Sequence, residues 1–103
     1  MEVTSKEEAQ RFLADVPEQY VFRCRDGHVL KNLPELRDCL ESMTDETFAF
    51  HVNERRNDFS AWVRDIIGDE ELATSLRNSL SRTQAWIITV AKVAFLSALV
   101  ANS

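Results

Sequence analysis

Glycine and proline are scarce, with two of each in 103 residues. A sandwich or barrel spends such residues on many tight turns, so an all-β architecture is excluded. So few glycines also remove the phosphate-cradling loops of nucleotide-binding folds, and no G-x-S-x-G turn presents a nucleophile. Cysteine is limited to Cys24 and Cys39, too few for a disulfide scaffold. Positive charge is in deficit. Twelve Lys+Arg face seventeen Asp+Glu for a formal charge of −5, the sign that repels phosphate backbones and anionic membranes. The opening stretch from Met1 to Glu8 has no basic segment and no apolar one. No secretory signal is expected from it, and the setting expected is cytoplasmic and reducing.

What the chain does have is helical periodicity. Thr4 or Ser5 can cap a first helix, with Glu7 and Glu8 three residues on as in a capping box. Ala9, Phe12, Leu13 and Val16 then recur at i, i+3, i+4, i+7, and Pro17 closes the helix. Tyr20 to Lys31 alternates like a strand, and Asp26-Gly27 suits a type I′ turn. A short β-hairpin or an extended loop is expected over 20–31. Asn32 caps a second helix with Pro34 in its first turn and Leu33, Leu36, Cys39, Leu40 and Met43 on one face. Thr44-Asp45 opens a third, expected from Glu46 to about Arg55.

Asn57-Asp58 opens a fourth helix, whose stripe is Phe59, Trp62, Val63, Ile66 and Ile67 and whose C′ residue is Gly68. Asp69 caps a fifth, from Glu70 to about Leu80, and Ser81 with Gln84 caps the last. The expected fold is all-α, a compact bundle of about six short helices forming one domain over 1–103. Phe12, Phe22, Phe48, Phe50, Phe59, Phe95, Trp62 and Trp86 lead its candidate core.

Ala85 to Val100 carries a single charge, Lys92. As a helix these residues span roughly 24 Å, short of a hydrocarbon core of ~30 Å. No integral membrane segment is expected there; a buried helix is. Arg82, Thr89 and Lys92 fall on one side, with Ala85 and Leu96 between them. The remaining circumference is apolar and wider than a surface helix needs. It predicts a central position in the bundle or a second apolar face that meets another subunit. Trp86, Val90, Val93 and Phe95 are the candidate interface residues.

Residues 48–69 contain Phe48, His51-Val52, Asn57-Asp58-Phe59, Trp62-Val63, Asp65 and Asp69. Together with Phe22, Asn32-Leu33, Glu35-Leu36 and Leu72-Ala73 they resemble a family of unknown function found in archaea and bacteria. Its mark is F-x-x-H-V-x(4)-N-D-F-x-x-W-[IV]-x-D-x-x-x-D. The resemblance covers most of residues 9–80 and implies no activity. The last helix departs from it, being less charged than the family pattern.

His51, Asn57, Asp58 and Trp62 are the densest polar–aromatic grouping and the candidate ligand-binding set. They would form a pocket beside an indole, although capping and packing account for each residue separately. No catalytic residue and no cofactor is assigned. Cys24, His28, Cys39 and His51 run C-x3-H…C-x11-H, which matches no paired zinc spacing, so no metal ligand is assigned either. Arg55-Arg56 with Arg64 is the one basic cluster, but Asp58 and Asp65 stand beside it, and no nucleic-acid contact is expected. The leading expectation is a non-enzymatic module that self-associates or docks a protein partner through the last helix. Its rivals are a small-ligand or catalytic site at His51 and peripheral membrane contact.

Overall fold

Side-chain caps decide where the helices begin. A computed structural model describes residues 4–102; Met1 to Val3, where the acidic opening begins, and Ser103 lie outside the described residues. Ser5 accepts from the Glu8 N–H while Glu8 accepts from the Ser5 N–H, a complete capping box for α1 (Lys6–Leu13). Asn32 caps α2 (Leu33–Ser42), Thr44 caps α3 (Asp45–His51) and Asn57 caps α4 (Asp58–Trp62). Asp69 caps α5 (Glu70–Arg77) and Ser81 caps α6 (Arg82–Ala101). Each cap oxygen satisfies an N–H that the first helical turn leaves without a partner. Gln84 departs from the box pattern, accepting from the Leu80 N–H at 2.6 Å.

The hairpin is present, as β1 (Phe22–Arg23) paired antiparallel with β2 (Val29–Leu30) and Phe22 opposite Leu30. Its turn is not type I′, because Gly27 alone has positive φ, at 96°, and Asp26 does not. Gly27 donates to the Cys24 carbonyl and Cys24 to that of His28, the pattern of a three-residue loop closed by a left-handed glycine.

Several helices stop short of their expected ends. α1 ends at Leu13, and Val16 instead donates its N–H to the Lys31 carbonyl beside the hairpin. α3 ends at His51 because Asn53 Oδ1 accepts from both Arg55 and Arg56 N–H groups, turning the chain so that Val52 bridges Asn57. α5 ends at Arg77, leaving Leu80 92% exposed. After Trp62 the fourth helix widens into a π turn, Val63–Ile67, closed by the Gly68 N–H on the Val63 carbonyl at 2.7 Å. Gly68 there has φ 92°, and a Cβ would meet only Phe12 at 3.8 Å. The constraint is therefore conformational. Gly68→Ala is expected to lower unfolding free energy by about 1 kcal/mol in urea titration.

The core runs between α2, α4, α5 and the inner face of α6, with Phe59, Leu33, Leu36, Leu40, Leu72, Leu76 and Leu96 fully buried. α6 makes its main contacts with α1 and α2, and α4 packs on α5. Phe50 and Phe95 are half-exposed, outside the core expected for them. Phe50 lies instead beneath the Arg25 guanidinium, 4.3 Å from its ring centre.

Candidate functional site

The His51 grouping assembles as a brace between the hairpin and α3–α4. His51 sits at the end of α3 with 4% of its surface exposed. Its Nε2 accepts from the Arg25 N–H at 3.0 Å, so the ring proton sits on Nδ1, which donates to Asp58 Oδ2 at 3.0 Å. Phe22 and Phe59 stack on each other, and the imidazole packs against both at about 5.2 Å between centres. Trp62 is buried and donates from Nε1 to the Tyr20 carbonyl at 2.8 Å. Asn57 uses both ends of its amide, accepting from the Ser60 N–H and donating to the Leu76 carbonyl. These four residues are neighbours, but their polar atoms are spent on the fold. His51 and Trp62 are buried, while Asn57 and Asp58 border a groove.

That groove, about 930 Å³, runs from Asn53 and Arg55 past Asn57 to Arg77 and Leu80. His51 does not line it. An imidazole with both nitrogens committed has no lone pair left to take a substrate proton.

The candidate interface residues divide. Phe95 is half-exposed, Val90 and Trp86 are partly exposed, and Val93 is 4% exposed within the core. Val93 is therefore corrected from interface to core, because it lies beside Leu96 and Thr89 on the inward side of α6. The reason is an inversion. The side carrying Arg82, Ala85, Thr89, Lys92 and Leu96 is the one turned inward. Thr89 meets this burial by donating its hydroxyl to the Ala85 carbonyl. Arg82 donates to the Leu40 and Glu41 carbonyls. Lys92 lies 3.3 Å from Asp69, which is 3% exposed, and 2.7 Å from Glu71.

With its one mid-helix charge drawn inward, the outward face of α6 is neutral. Ile87, Ala91, Ala94, Ala98 and Ala101 are all exposed and recur at intervals of four and three, the spacing of a coiled-coil seam. Residue types alone did not separate this stripe from the inner one, since both are rich in alanine and aliphatics. The helix begins at Arg82, after the expected Ser81 cap, and runs past the apolar stretch at both ends. Its 20 residues span ~30 Å, so by length and composition it could cross a membrane. What ties it to the domain is the packing of its inner face on α1 and α2.

A second cluster joins Cys24, Asp26 and Cys39. Burial pushes both thiols up, Cys39 to about 12 with Cys24 and Asp26 beside it. Desolvation raises Asp26, but hydrogen bonds from the His28 backbone and ring outweigh it and hold the carboxyl below its ordinary value. His51 belongs to neither thiol.

The chain matches no family model, no curated protein and no solved structure. The role assigned to it rests on its own residues.

Proposed function

We propose that this chain is a cytoplasmic, non-enzymatic self-association module, and that two copies pair through the outward face of α6. The observation that carries this reading is the exposed run Ile87, Ala91, Ala94, Ala98 and Ala101, flanked by Val90 and Phe95 and free of charge. Small side chains at that spacing let a second helix approach closely, while Ile87 and Phe95 supply apolar area that water solvates poorly. A second copy fits better than an unlike partner because the strip has no charge to pair and a two-fold axis matches it to itself. A helix face ~30 Å long and about 10 Å wide makes a small interface. Pairing is accordingly expected in the micromolar range.

Light scattering over about 1–100 micromolar tests this. Ala94→Glu places a carboxylate in the centre of the strip and is expected to weaken pairing at least tenfold, since burying it unpaired costs several kcal/mol. Gln19→Glu adds the same charge on an exposed turn and is expected to leave the mass unchanged. Equal pairing by both variants would overturn the reading. So would a monomer that instead floats with neutral lipid vesicles.

A further inference from the structure

Where the hairpin loop meets α2, the two thiol sulfurs and a carboxylate oxygen of Asp26 all lie within 4.8 Å of one another. Cys24 and Cys39 are buried, and the Asp26 side chain, 22% exposed, closes the outer side. The His28 ring is solvent-facing, with Nδ1 2.9 Å from Asp26 Oδ1. Gly27 in the left-handed region closes the loop that places Asp26 beside Cys24, with His28 next to Asp26. A tetrahedral zinc centre with Zn–S bonds of about 2.3 Å holds its sulfurs roughly 3.8 Å apart, so drawing these two sulfurs together needs a shift of about 1 Å at most.

We propose that Cys24, Asp26 and Cys39, with His28 swinging in as the fourth ligand, bind a divalent metal of borderline softness, zinc above all. Two sulfurs disfavour calcium and magnesium, and a carboxylate with an imidazole completes a set that zinc accepts. Binding breaks two S–H bonds, forms two S–Zn bonds and releases two protons to water, while Asp26 and His28 each contribute a lone pair. The spacing in sequence concealed this set because the third ligand is Asp26, not His51.

Cobalt(II) titration of the reduced full chain tests it. The expected result is uptake of one ion, a thiolate-to-cobalt charge-transfer band with tetrahedral visible absorption, and displacement of both by zinc. Cys39→Ser is expected to lose much of the charge-transfer band. Because that thiol lies in the core, Asp26→Asn and His28→Ala on the surface turn serve as fold-neutral variants, each expected to weaken binding at least ~10-fold. No charge-transfer band from the folded chain would overturn the proposal. Unchanged cobalt affinity in both turn variants would overturn the ligand set, and a Cys24–Cys39 disulfide forming while cobalt is refused would overturn it as well.

Discussion

Lys92→Met is expected to lower the unfolding free energy by about 3 kcal/mol, read as a fall in urea midpoint at unchanged slope. The ammonium lies 3.3 Å from Asp69 Oδ2, an oxygen that accepts no hydrogen bond, and both side chains are more than nine-tenths buried. Asp69 Oδ1 caps α5 by accepting from the Leu72 N–H. Removing the lysine therefore strands a carboxylate that the helix still needs. Breaking a buried pair from one side costs far more than the pair contributes. Asp69→Asn with Lys92→Met is expected to recover most of the loss, since asparagine caps as well and carries no charge. A double variant no more stable than Lys92→Met alone would show that the ion pair is not what the lysine supplies. The same pair removes the one charge from the outward face of α6, so a stability element and the neutral surface have a common origin.

His51→Ala is expected to cost about 3 kcal/mol in the same titration. The Arg25 N–H would lose its acceptor in a partly buried setting, at about 1–3 kcal/mol, and Phe22 and Phe59 would each lose the ring packed against them. Asp58→Asn keeps an acceptor for Nδ1–H and is expected to cost only about 1 kcal/mol through its place in the first turn of α4. Equal losses for the two variants would mean that Asp58, not the hairpin bond to Arg25, dominates the brace.

Helix starts were legible in the chain because each is written locally, in a cap oxygen and the N–H three residues on. Asn32, Asp69 and Ser81 cap where the spacing placed them, and of the pairs Thr4/Ser5, Thr44/Asp45 and Asn57/Asp58 the structure uses Ser5, Thr44 and Asn57. Helix ends were less legible. α3 stops at His51 through a turn that Asn53 folds with its own side chain, and periodicity carries no trace of that competition. The π turn after Trp62 answers to the geometry around Gly68, and the inward direction of α6 to partners far away in sequence. Lys92 reads as a solvent-facing charge until α5 brings Asp69 to it. The His51 grouping was visible as a set, and the structure shows its polar atoms bonded to the fold. Asp26 beside Cys24 and Cys39 was not visible, because a hairpin and a helix meet there.

Sedimentation equilibrium of the unmodified chain is the most direct measurement of the α6 pairing. The account predicts a mass that climbs with concentration from 11.8 kDa toward twice that value and levels off there, with the rise abolished by Ala94→Glu. A chain that stays at 11.8 kDa up to about 100 micromolar, or a rise that Ala94→Glu leaves intact, would contradict it.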